Sequence, residues 1–361
     1  MARQARREVI DPEQVQIVHC IERCVRRAFL CGEDPYTGRS FQHRRGWIRE
    51  RLEFLASCFA IDCLTFSIMS NHLHLVLRSR PDVVAAWSDE EVARRWLRLF
   101  PIRHSRNDDG TLAEPSGAEI ATIVNNEQVL AQRRRRLSDI SWWMRCTAEN
   151  IARRSNAEDD VSGHFWEGRF KAQVILDEAS LMACAAYVDL NPIRATIAQT
   201  LESSEYTGAK ERIDDITCAS EQNRQHVHDW ERSRIPHNSG WMSPVEINER
   251  DDPIGADIDS SHRRSSCKGF LSISLSKYLA LLDWTGRQLR DDKRGSIPAE
   301  LAPILTRIGL DAPAWCDLVK RFGRLFKRAA GTSQSLCQEA ARRRQAWMQA
   351  PQNPLVGPAP P

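Results

Sequence analysis

The chain has 361 residues, 42% hydrophobic and 27% charged, which is enough to bury one large or two modest cores and sets aside a wholly disordered polymer. Its 11 cysteines are odd in number and include no CxxC pair, which argues against a secreted disulfide scaffold and for a reduced, intracellular chain. A net charge of +3 does not announce a nucleic-acid binder, although it can hide a local basic face. No run is long and apolar enough to span a bilayer, and the opening MARQARREVI lacks the apolar core of a signal peptide, so the expectation is a cytoplasmic protein with no membrane partner.

In chain order, residues 15–20 read as a short strand and GEDPYTG, residues 32–38, as a turn. Ile48, Leu52, Leu55 and Phe59 share one helical face. The stretch IDCLTFSIMSNHLHLVLR, residues 61–78, reads as two strands joined by a tight turn at Ser70-Asn71. Residues 88–100 suit a helix with Ser88 as N-cap, residues 101–120 have loop composition, and an amphipathic stretch surrounds residues 140–151. FWEGRFKAQVIL, residues 165–176, is extended. Asp177 can then cap a helix carrying Leu181, Cys184, Tyr187 and Val188, with Pro192 at its end or at a kink. Residues 229–267 are rich in Asp, Ser, Asn, Pro and Arg and read as a polar linker. Helical periodicity returns over residues 268–330, and residues 331–361 read as a tail.

The segment Ser70-Asn71-His72-Leu73-His74-Leu75-Val76-Leu77 is the informative one. On a strand, side chains alternate with period two, so His72 and His74 share one face, roughly 7 Å apart along the strand, while Leu73, Leu75 and Leu77 face the core. Two imidazoles so placed can converge on one metal ion without naming it. An HxH pair alone is a weak signal, since half-exposed or hydrogen-bonded histidines give the same pattern.

The second element is AAYVDLNPIRA, residues 185–195, where a continuous helix would bring Tyr187 and Asn191, at i and i+4, to one face. A tyrosinate can attack phosphorus and conserve the phosphodiester energy in a phosphotyrosine. A phenol ionises only near pH 10, so it needs help of the kind a neighbouring metal gives. An isolated tyrosine is more often an amphipathic core residue.

Taken together and in this order, SNHLHLVLR and YVDLNPIRA resemble the single-tyrosine HUH transposases, and most closely the REP-associated tyrosine transposases. WEGRFK, residues 166–171, and VRRAFLCG, residues 25–32, add to the resemblance, which spans roughly residues 15–210. It implies an α+β fold, an antiparallel sheet with helices on its face and both histidines on a central strand. It implies that His72 and His74 hold a divalent ion, Mg²⁺ or Mn²⁺, that Asn191 completes the coordination, and that Tyr187 is the nucleophile. The implied activity is that of a transposase that cuts and rejoins single-stranded, hairpin-forming DNA through a 5′-phosphotyrosine, as a monomer or a homodimer. The sequence departs from the family in the long stretch at residues 82–160, read as an insertion, in Ser70 where a proline is usual, and in Pro192 directly after Asn191. The recognisable domain is therefore expected over residues 1–228, followed by the linker and a helical module.

Two other readings stay open: a relaxase or replication-initiator nuclease of the same chemistry, and a domesticated, non-catalytic DNA-binding protein. Arg78, Arg169, Lys171 and Arg194 are the expected contacts to the DNA backbone. Phe165, Trp166 and Phe170 either stack on unpaired bases or pack in the core. The run of arginines at residues 133–136 reads as a solvated face, with DNA contact from the inserted stretch as the alternative, and His226 and His228 read as surface residues. The C-terminal cluster that includes Lys320, Arg321, Arg324, Lys327 and Arg328 fits either a DNA- or partner-binding module or exposed helix faces.

Overall fold

The computed structural model describes residues 9–25, 30–34, 37–103, 107–108, 113–225, 238–248, 255–290, 300–345 and 348. His226 and His228 lie outside them, as do residues 26–29 of VRRAFLCG. Among the described residues, no helix is long and apolar enough to cross a membrane.

The architecture is α+β. Five strands, β1 (Ile17–Arg23), β2 (Ile61–Ile68), β3 (His72–Ser79), β4 (Lys171–Ile175) and β5 (Ala329–Ala330), form one sheet in the order β2-β3-β1-β4-β5. The first four pair antiparallel, as expected. The sheet as a whole is mixed, because β5, from the expected helical module, pairs parallel to β4.

Alternation along the strands splits the sheet into two unlike faces. Val18 and Cys20 of β1, Leu73, Leu75 and Leu77 of β3 and Val174 of β4 point to one core. Over that face lies α1 (Arg44–Cys58), then α2 (Pro81–Ala86), α3 (Asp89–Leu99), α4 (Gly117–Val124), α5 (Glu127–Leu137) and α6 (Ile140–Glu158). Ser88 caps α3 by accepting from the Glu91 N–H, and Ser116 with Glu119 closes a capping box on α4, which gives order to part of the stretch read as loop. Residues 82–160 are thus a helical layer sharing the core of this face, with Trp143 and Leu137 fully buried. Three of the 133–136 arginines are used within it: Arg134 donates to the Val84 and Trp87 carbonyls, while Arg133 and Arg136 stack over Trp96 and Trp142; Arg135 is exposed and pairs with Glu13.

The opposite face carries Ile17, His19 and Ile21 of β1, His72, His74, Val76 and Arg78 of β3, and Lys171, Gln173 and Ile175 of β4. Here packs α7 (Glu178–Asp189), capped by the Asp177 carboxylate on the Ser180 N–H at 2.9 Å. Its residues from Ala179 to Ala186 are all buried, the signature of a helix packed on every side. Helix α8 (Asn191–Arg194) begins a new turn, followed by α9 (Gly208–Gln225), α10 (Leu275–Gln288), α11 (Ala302–Arg307), α12 (Ala312–Leu325) and α13 (Ser333–Arg342). Trp315, Leu318, Val319 and Phe322, at i, i+3, i+4 and i+7 of α12, form the buried stripe in the core that α7 shares.

Over the described residues, the expectation of a polar linker and a separate C-terminal module is corrected. Trp241 is fully buried, and Ser265 and Ser266 hydrogen-bond the buried Asp62 carboxylate of β2. Asp62 also takes Arg78 Nε at 2.8 Å and Arg80 Nη1 at 3.1 Å. A polar segment packs here because it supplies hydroxyls and carbonyls to a buried charge cluster that water cannot reach. The described part of residues 331–361 is likewise not a loose tail, since α13 is capped by Thr332 and the Thr332 N–H donates to Asp177 at 2.7 Å.

Candidate functional site

The polar residues of the second sheet face gather under the end of α7. His72, His74 and Tyr187 line one cleft of about 260 Å³, with Arg23, Arg169 and Lys171 at its rim. The tyrosine ring lies edge-on to His74, centroids 5.7 Å apart, and His72 and His74 are 4.8 Å apart. Among the described residues, no three His, Cys, Asp or Glu side chains gather into a metal-holding group.

Each histidine of the pair has its Nδ1 engaged. His72 Nδ1 bonds Asn71 Oδ1 at 2.5 Å, and His74 Nδ1 bonds His19 Nε2 at 2.9 Å. His19 Nδ1 in turn meets Gln173 Oε1 at 3.2 Å. With the amide oxygen as acceptor, His19 carries its proton on Nδ1 and accepts from His74 Nδ1–H. That leaves His74 Nε2 bare, and it is buried without a hydrogen-bond partner. Burial pushes His19 and His72 down to about 4, and His74 well below its ordinary value. All three imidazoles are therefore neutral near pH 7, the form that ligates metals. A ring nitrogen fixed by a hydrogen bond while the other stays free is how proteins orient metal-binding histidines. The donor set thus fits a divalent ion held by Nε2 of His72 and His74.

Tyr187 sits in a cage. Phe322 lies 5.7 Å away, centroid to centroid, and the Arg194 guanidinium stacks 4.3 Å over the ring. On α12, a Cβ at Gly323 would come within 2.7 Å of the Tyr187 hydroxyl, so glycine leaves the room the hydroxyl occupies.

Asn191 departs from its expected role. Helix α7 ends at Asp189 and Asn191 opens α8 ahead of Pro192, so Tyr187 and Asn191 do not share one continuous helix. Asn191 does not line the histidine cleft; its Oδ1 accepts from Arg194 at 3.4 Å and its Nδ2 is buried without a partner. Arg78 departs too. It is buried, donating to Asp62, the Gly269 carbonyl at 2.8 Å and the Lys268 carbonyl at 2.6 Å, so its charge is used inside the fold. Phe165 and Phe170 are buried core residues, and the Trp166 indole donates to the Ala148 carbonyl at 2.8 Å, so core packing describes them. Arg169 and Lys171 are exposed at the cleft, whereas Arg194 is held at the tyrosine.

His19, Gln173, Phe322 and Gly323 were not legible as site residues. A histidine and a glutamine within apolar strand segments were the available signals for the first two. The α12 pair is remote in sequence, and nothing local marks it.

Comparison of the chain with protein-family models, with curated proteins and with solved structures finds no match.

Proposed function

We propose that the protein cuts and rejoins single-stranded DNA by transesterification through Tyr187, as an HUH-type strand transferase resembling the REP-associated tyrosine transposases. The observation that carries this reading is the bare, buried Nε2 of His74 beside the Tyr187 ring, its tautomer set by His19 and Gln173. His72 and His74 would hold Mg²⁺ or Mn²⁺, which when bound neutralises charge on the scissile phosphate. Tyr187 Oη forms the new bond to phosphorus as the 3′-oxygen leaves. The phenol proton passes to water, and the departing oxygen takes up a proton to become a free 3′-OH. The 5′-phosphotyrosine keeps the bond energy, so attack by another 3′-OH rejoins the strand and regenerates the phenol without ATP. Arg169 and Lys171 sit where they can hold backbone phosphates, and Arg194 keeps the ring in place.

The direct test is incubation of the full chain with labelled single-stranded hairpin oligonucleotides from beside its own gene, with Mg²⁺ or Mn²⁺. A metal-dependent adduct that survives denaturation is expected, and His72→Ala should lack it. Binding with no adduct on any flanking hairpin would favour the non-catalytic DNA-binding alternative.

His19 acts through His74. His19→Ala should raise the metal concentration for half-maximal cleavage by about 10- to 100-fold, with partial recovery in His19→Gln, which can still accept a hydrogen bond. An unchanged metal requirement would remove His19 from the site. Gly323→Ala carries opposite expectations for stability and rate. Alanine is preferred over glycine within a helix by about 1 kcal/mol, so the melting temperature should hold or rise. The added methyl displaces the Tyr187 hydroxyl, and cleavage should fall by up to about 100-fold. Wild-type cleavage in this variant would show that the hydroxyl does not need that space.

A further inference from the structure

A second cleft of about 520 Å³ opens beyond Tyr187, which lines both it and the histidine cleft. Arg194, Lys320, Arg321 and Arg324 line it. Its carboxylate, Asp317, is paired with Arg321 at 2.9 Å. Among the described residues, neither Lys320 nor Arg324 forms an ion pair. Both are exposed, on the side of α12 away from Trp315, Leu318 and Phe322. They stand at i and i+4, one helical turn apart, where like charges repel and destabilise a helix unless an anion lies between them.

We propose that this second cleft is a track for the phosphodiester backbone of the same DNA strand, with Lys320 and Arg324 as its phosphate contacts. The inference rests on Tyr187 being the nucleophile. A strand cut internally has nucleotides on both sides of the scissile phosphate, and that phosphate must reach Tyr187. The clefts on either side of the ring then take the two flanks, one rimmed by Arg23, Arg169 and Lys171 and the other by the α12 cations. Among the described residues, no aromatic ring other than Tyr187 lines the second cleft, so it grips the backbone without stacking bases or reading sequence. The C-terminal region thereby supplies half of the substrate path.

The test uses the full chain and a fluorescent single-stranded flanking-hairpin oligonucleotide on which the wild type forms an adduct, with affinity measured across a salt series. Each phosphate contact on single-stranded DNA contributes about 0.7 to the slope of log affinity against log salt. Lys320→Gln/Arg324→Gln should therefore flatten the slope by about 1.4 and weaken binding several-fold at low salt. Arg145→Gln/Arg153→Gln, which removes the same charge from exposed α6 positions lining neither cleft, should keep the wild-type slope. If adduct formation is intact and the α12 double variant keeps the wild-type slope, the track is overturned while the catalytic reading stands. If the wild type forms no adduct on any flanking oligonucleotide, the catalytic reading fails and takes the track with it.

Discussion

Tyr187→Phe is expected to abolish the covalent adduct and slow strand cleavage by about 10⁴-fold or more, the scale seen when a nucleophile is removed, while single-stranded DNA binding stays within about twofold. The substitution deletes one oxygen and keeps the ring, so the contacts with His74, Phe322 and Arg194 persist. Binding is therefore a fair control for folding. The chain has four tyrosines. Tyr278 is buried, donates its hydroxyl to Asp189 at 2.6 Å and has its ionisation pushed well up by burial and by that carboxylate, so it cannot serve instead. Tyr206 lies 5.9 Å below the Arg45 guanidinium and does not line the histidine cleft. An adduct that persisted in Tyr187→Phe would place the nucleophile elsewhere.

The largest loss of stability is expected from Asp62→Asn. Its carboxylate is wholly buried and holds Arg78, Arg80, Ser265 and Ser266 together, joining β2 and β3 to the 256–269 segment. The amide leaves two buried guanidiniums without their shared counter-charge, a change that costs about 3–5 kcal/mol when one partner of a buried pair is removed. Denaturant unfolding should show this as a lower midpoint. Burial alone would raise the Asp62 ionisation, but Arg78, Arg80 and the Ser265 hydroxyl hold it below the ordinary carboxylate value. Its contribution is then fully present above about pH 4, where the unfolded carboxylate ionises, and is lost as pH falls through the lower folded value. The stability gap between wild type and Asp62→Asn should therefore close in acid. A gap of the same size at pH 3 and pH 7 would contradict this account of the cluster.

What could be read from the chain alone was local. The turn at Ser70-Asn71, the shared face of His72 and His74, the Ser88 cap and the Asp177 cap all follow from neighbours in sequence, and the structure has each. Long-range pairing was not legible. The 229–267 stretch has the composition of a tether, and only the buried carboxylate of Asp62 explains why Ser265 and Ser266 pack against the sheet. Arg78 follows the histidine strand and reads as a DNA contact until that same carboxylate is found beneath it. Asn191 was placed by helical spacing and by the family resemblance, and the proline after it, already a departure in the sequence, marks the break that takes it out of the α7 helix. His19 reaches His74 only through the β1–β3 register, and α12 reaches Tyr187 only because its apolar stripe has a place in the core beside α7.

The central claim is that one phenol, set against a histidine pair, forms the bond to DNA. The most direct measurement is mass spectrometry of the protease-digested adduct made on a flanking hairpin oligonucleotide. The account predicts a single modified peptide, with the nucleotide mass on Tyr187 through a 5′-phosphate. Nucleotide mass on any other residue, or no modified peptide from a reaction that nonetheless cuts the strand, would contradict it.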